Sequence, residues 1–255
     1  MKPASLTGNR LTPLARQRLW LAPLVWLALL LLLAAGMGQL EWLFRLVEPD
    51  MREVIYRRAG FFSLLGQHIL VVGAASLLAV VLGVGAAIAV TRPAGRDFLP
   101  LVSQLASIGQ TFPPVAVLAL AVPALGFGTL PIIVALLLYG LLPIVRNTLA
   151  GIASIDLDVH EAARGMGMTA GQVLRQVELP LAAPVILAGI RTSVTINIAT
   201  AALGATVGAS NLGDPIISGI VNGNTAYILQ GALLIGLLAI AVDSVFERLI
   251  PGNPG

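Results

Sequence analysis

Six stretches of this chain stay apolar for roughly the 20 residues that a helix needs to cross hydrocarbon. They lie near 19 to 40, 68 to 90, 99 to 122, 129 to 149, 181 to 207 and 227 to 249. The composition leaves little alternative, because 57% of the 255 residues are apolar and only 11% are charged, against roughly 25% charged in an ordinary soluble domain. The mean hydropathy is +0.93. A soluble core of this size would still need a polar surface, and the charges to make one are missing. The expected fold is an all-α polytopic membrane protein of about six transmembrane helices, with the lipid bilayer as its solvent.

Several function classes fall away at once. Cys is absent, so disulfides and thiolate metal sites are excluded, and His68 and His160 are too isolated to make a metal cluster. No metal site and no catalytic constellation are expected. The net charge is +3 and the pI about 9.9, yet the basic residues are scattered between apolar runs instead of forming a stripe, so nucleic acid is not an expected partner. No phosphate-binding G-x-x-x-x-G-K-[ST] loop is present, and the chain has no means of using ATP by itself. An ion-coupled secondary transporter would carry acids at mid-membrane depth, and none falls at the centre of a span.

Lys and Arg in short connections report orientation. Lys2, Arg10, Arg16 and Arg18 precede the first span, Arg92 and Arg96 follow the second, and Arg146, Arg164 and Arg175 lie within the 146 to 180 segment. A cytoplasmic N-terminus puts all of these on one side. The segment 41 to 67 is the exception, since Arg45, Arg52, Arg57 and Arg58 then face outward. The first apolar run is longer than the roughly 7 to 15 residues of a signal-peptide core and reads as a retained anchor; cleavage after "AAGMG" is the alternative. The expected division is 1–60 as tail, accessory span and outer loop, 61–249 as a core of about five spans, and 250–255 as a C-terminal tail.

One charged, glycine-bearing loop interrupts the core, "DVHEAARGMGMTAGQVLRQVELP" at residues 158 to 180. Asp158 with Glu161, and Thr169 with Gln172, have the spacing of capping boxes, so two short helices are expected. Gly167 lies between them, where a helix end commonly takes the left-handed conformation, and Pro180 suits the first turn of the helix that re-enters the membrane. Ala162 and Ala163 allow another backbone to approach beside Glu161. Such a projection fits a groove on a partner protein.

"EAARGMG" followed by "VELPLAAPVILAGI" resembles the EAA loop of ABC importer permeases. "GQTFPPVAVLAL", "GFGTLPIIVALLLYGLLPIVRNTLAGI" and "GASNLGDPIISGI" are similar to the osmoprotectant branch, which imports glycine betaine, choline and related quaternary amines. The likeness spans most of 61 to 249 and implies a type I importer permease (MetI-like) fold whose loop, 156–180, holds a cytoplasmic coupling helix. It assigns ATPase docking to Glu161, Ala162, Ala163, Arg164, Gly165 and Gly167. It also implies cytoplasmic ABC ATPase subunits carrying ATP and Mg, so that this chain binds no cofactor. A second permease copy or a related permease, an extracytoplasmic solute-binding protein, and a multi-pass location in a bacterial inner membrane are implied as well. A permease for another small solute, such as an amino acid, is the alternative.

Polar residues within spans face a bundle interior or water, or hydrogen-bond between packed helices. By that criterion the candidates for the translocation pathway are Ser103, Ser107, Gln110 and Thr111 in the third span, immediately before the kink-prone Pro113 and Pro114, and Arg191, Thr192, Thr195 and Asn197 in the fifth. Arg191 stands roughly 16 Å past Pro180 at about 1.5 Å per residue. It either snorkels to the headgroups or faces protein, and Asp243 is a possible partner. Asp214 is expected to shape a turn. The spans hold few aromatics and no evident cage for a quaternary ammonium, so the solute class rests on the resemblance.

Overall fold

A computed structural model of the chain describes residues 20 to 250. The basic residues of the N-terminal tail and nearly all of the 250–255 tail lie outside that range. Among the described residues the regular structure is helical. Five helical segments are long and apolar enough to cross a membrane, and one bent pair supplies a sixth candidate.

Helix α1 (Leu21–Gly36) passes through a tight turn into α2 (Glu41–Val47). Helix α3 (Phe61–Thr91) is followed by α4 (Leu99–Thr111), α5 (Pro114–Leu125) and α6 (Thr129–Ala153). The loop helix α7 (Leu157–Gly165) precedes α8 (Ala170–Val173), which runs through a π-helical turn at Leu174–Glu178 into α9 (Leu179–Thr200) and a 3-10 segment, Ala201–Val207. The chain closes with α10 (Gly213–Asn222) and α11 (Thr225–Leu249).

Helix α6 is the hub of the core, packed between α3 and α9. Lipid supplies little hydrophobic drive between helices, so close packing has to come from small residues at the crossings. A Cβ at Gly140 would stand 2.6 Å from Ser193 Oγ, and one at Gly189 would stand 2.6 Å from Asn147 Cβ. Around these contacts Ile132, Leu136 and Ile144 are fully buried.

Two spans are not simple continuous helices. The third apolar run is broken: the helical stretches Arg96–Thr111 and Pro114–Leu125 meet at 99°. Phe112 and Pro113 are extended at ψ 137 and 138, because proline lacks an N–H and bars the residue before it from the helical region. Side chains from α4 and α6 stabilise the break. The Tyr139 hydroxyl donates to the Phe112 carbonyl, and Gln110 Nε2 donates to the Tyr139 carbonyl at 3.1 Å. The fifth run is longer than expected, because the second loop helix is its first turn. Pro180 does sit in the first α-helical turn, but a π-helical turn precedes it instead of a loop. The wider turn accommodates proline's missing donor and ring.

The described part of the first 60 residues packs as part of the bundle. Helix α1 lies along α11, and Leu30, Ala34, Met37 and Phe44 enter the main core. The segment after α2 straps the far end of α11, the end remote from α7. The fully buried Gln230 side chain accepts from Tyr56 N at 3.0 Å and donates to the Val54 carbonyl at 2.6 Å. Asn224 Nδ2 donates to the Glu53 carbonyl at 2.8 Å. Glu48 accepts from Thr225 N at 2.8 Å, and hydrogen bonding from the Thr225 side chain, with this backbone N–H, holds the carboxyl below its usual range. Arg45 and Arg57 both pair with Glu41, so two of the four arginines that strain the charge rule are already matched to an acid.

Replacing Gln230 with Leu strips both bonds while keeping the volume. Leaving two backbone groups bare is expected to loosen the strap by about 2 kcal/mol. Hydrogen exchange over residues 48 to 60 should accelerate in the variant, and an unchanged profile would show that other contacts hold the strap.

Candidate functional site

The loop between α6 and α9 is ordered by its own sequence. At the end of α7, Gly167 takes φ +77. Gly167 N donates to the Arg164 carbonyl at 2.9 Å and Met168 N to the Ala163 carbonyl at 3.2 Å, which is the Schellman pattern for closing a helix. Thr169 then opens α8 with the expected reciprocal capping box to Gln172. The box expected at the start of α7 is absent. That helix begins at Leu157 with Asp156 at its N-cap position and no side-chain cap. Asp158 lies within the first turn, where its charge suits the positive end of the helix dipole.

The two alanines separate. Ala162 is exposed and Ala163 is buried at 2% against the body of the protein. Ala163 therefore seats α7 and is removed from the outward surface expected of it. Glu161, Ala162, Arg164 and Gly165 remain outward, joined by Leu157 at 78% and Met166 at 74% exposure. Sequence alone does not single out these last two, since apolar residues are unremarkable in such a chain. Their exposure is informative because the loop lies outside the spans, where bare Leu and Met mark an interaction surface.

In the expected pathway set, hydroxyls turn back on their own helices. Ser107 donates to the Ser103 carbonyl, Thr111 to Ile108, Thr192 to Ala188 and Thr195 to Arg191, at 2.8 to 3.0 Å. Thr111 and Thr192 are exposed; Ser103, Ser107 and Thr195 are half-buried. Gln110 is committed to the bend. Asn197 is fully buried between helices, its amide donating to Ser76 Oγ at 3.1 Å. In this structure Asn197 therefore serves as a packing contact between helices and lines no open surface.

Arg191 faces protein. Its guanidinium forks onto Asp243 at 2.5 and 2.6 Å and reaches Glu247 at 3.5 Å. Here the distant partner suggested by charge alone is the observed one. At the far end, a cavity of about 380 Å³ is lined by Tyr56, Arg58, Ser210, Asp214 and Ser218 among others. Asp214 accepts from Asn211 N at 3.3 Å, the turn-shaping role expected of it, and burial pushes its carboxyl up.

The described residues form a helical bundle with a bent span and one projecting, glycine-cornered loop, and comparison with known proteins makes it a permease of ABC importers, a transport subunit and not an enzyme. Residues 79–252 match the family described as "Binding-protein-dependent transport system inner membrane component", and the chain belongs to that family. It is 45% identical over 192 residues to the osmoprotectant import permease protein OsmY of Salmonella typhimurium, covering 73% of this chain and 81% of that protein. It is 43% identical to the choline transport system permease protein OpuBB of Bacillus subtilis (67% and 79% covered). With the glycine betaine/carnitine/choline transport system permease protein OpuCB of the same organism the identity is 41% (71% and 82% covered). Among solved structures, a chain of the inward-facing MetNI methionine ABC transporter aligns with TM-score 0.65 and 22% identity, covering 74% of this chain and 94% of that one. That likeness establishes the MetI-like fold.

Proposed function

We propose that this chain is the translocation subunit of an ATP-driven importer of osmoprotectants, small quaternary amines such as glycine betaine and choline. The solute class is supported by the names of relatives 41 to 45% identical to this chain. The observation that carries the coupling role is the loop itself: a short helix closed by a left-handed glycine and presenting Glu161, Ala162, Arg164 and exposed Leu157 and Met166. Such a knob fits a cleft on a cytoplasmic ATPase. With the loop cytoplasmic, the N-terminus is cytoplasmic and the strapped end faces outward, toward a solute-binding protein. One chain supplies one knob, so a two-ATPase engine requires a second copy or a related permease. Closure of the ATPases on ATP and Mg draws the two knobs together and rocks the paired subunits between inward and outward access. The exposed Thr111 and Thr192 and the half-buried Ser103, Ser107, Arg191 and Thr195 remain proposed pathway residues.

Reconstituted liposomes containing the permease, its ATPase and its binding protein test the reading. ATP-dependent uptake of glycine betaine or choline, unaffected by collapsing ion gradients, is the expected result. Uptake of an amino acid alone would overturn the solute class, and gradient-driven uptake without ATP would overturn the importer class.

A further inference from the structure

Directly beneath α7 lies a buried carboxylate to which neither the docking surface nor the pathway gives a role. Glu178, at the end of the π-helical turn, is 5% exposed. Arg92, which closes α3, grips it with both terminal nitrogens, Nη1 to Oε1 at 3.3 Å and Nη2 to Oε2 at 2.5 Å. His160, on α7, meets Oε1 from Nε2 at 3.3 Å, while its Nδ1 faces the Asp156 carbonyl at 3.1 Å. Both ring nitrogens thus face acceptors. The guanidinium is itself aimed. Its Nε and Nη2 also donate to Thr91 Oγ1, at 3.2 and 3.0 Å, and that hydroxyl donates to the Ile88 carbonyl at 2.7 Å.

We infer that Arg92, Glu178 and His160 form a latch, three positioning residues that bind the docking helix to the ends of two spans so that its displacement moves α3 and α9 together. The latch rests on the coupling role proposed for α7. Three features support force transmission over mere filling. A bidentate arginine–carboxylate pair resists rotation as well as separation. Glu178 is buried and Arg92 half-buried, so water competes for the pair less than it would for one fully exposed. The π-helical turn inserts an additional residue just before α9, which rotates that helix by about 100° relative to an unbroken one and so sets the angle at which Glu178 meets α3. Beside the latch is a cleft of about 430 Å³ that also includes Arg96, Glu161 and Arg164. The outward residues of α7 therefore share a wall with the buried ones.

The test uses the whole transporter in liposomes, with Arg92→Gln, Glu178→Gln, the Arg92→Gln/Glu178→Gln pair and His160→Gln. Three quantities are read: ATPase co-purification, solute imported per ATP hydrolysed, and the ATP-driven signal of a dye on a single cysteine at Val221. That position is exposed at the far end, and the natural chain has no Cys to interfere. Co-purification should stay near wild type, while solute per ATP and the dye response fall about tenfold in Glu178→Gln, within the range of coupling between contacting charges. The double variant should be no worse than the poorer single, and His160→Gln should fall less. Wild-type ratios in all variants would overturn the latch. So would a loss of yield and docking in the milder His160→Gln variant, which would make the cluster a folding anchor only. If the unaltered transporter moves no quaternary amine, the solute reading fails, and the dye response still decides the latch.

Discussion

Gly167→Val is expected to insert with its spans intact and to lose ATPase stimulation and uptake together. A Cβ at this position meets nothing within 4 Å, so the substitution creates no clash; its cost is conformational. The φ of +77 is a backbone state in which a β-branched residue is a true outlier, with a strain of about 1 to 3 kcal/mol. The loop can relieve that strain only by abandoning the Schellman bonds from Gly167 and Met168. Helix α8 keeps its Thr169–Gln172 box and α7 keeps Ala163 seated, so both helices persist while the corner between them swings. Substrate-stimulated ATP hydrolysis and ATPase co-purification are the measurements. Wild-type coupling in this variant would mean that the corner does not aim the knob.

Asp243→Asn is expected to lower membrane yield sharply, because Arg191 would keep only the 3.5 Å contact to Glu247 as a charge partner. Removing one partner of a fully buried pair costs roughly 3 to 5 kcal/mol. Arg191 and Asp243 retain side-chain exposures of 25% and 37%, so a cost of about 2 kcal/mol is the better expectation. The informative variant is the double one, Arg191→Met with Asp243→Met, which removes both charges and keeps similar bulk. Restored yield with restored uptake would assign the pair to helix packing. Restored yield without uptake would put the charges in the transport cycle and keep Arg191 among the pathway residues.

Much of the loop between α6 and α9 is legible in the sequence because its determinants are local. A left-handed corner needs glycine within one turn of a helix end, and the Thr169–Gln172 box closes over three residues. The box expected from Asp158 and Glu161 fails on the same scale: the helix has already begun at Leu157, and a side chain inside the first turn no longer caps it. The latch is not legible in this way. In the sequence Arg92 informs topology alone, and the Glu in "VELP" stands only as part of a motif. Nothing local tells which way either side chain points.

The sequence by itself determined the solvent, the number of apolar runs, the glycine corner, and the proline pair at which the third run would yield. Each comes from backbone chemistry or from hydropathy over a single segment. The tertiary structure alone decided the 99° direction of that bend, the inward face of Ala163, the enclosure of Asn197, the strapping of Tyr56 by Gln230, and the meeting of Arg92 with Glu178. These depend on how each helix is rotated about its axis and tilted against its neighbours. In a chain whose helices are apolar nearly all round, hydropathy leaves that rotation almost free, and close contact between small residues and a few polar pairs fixes it.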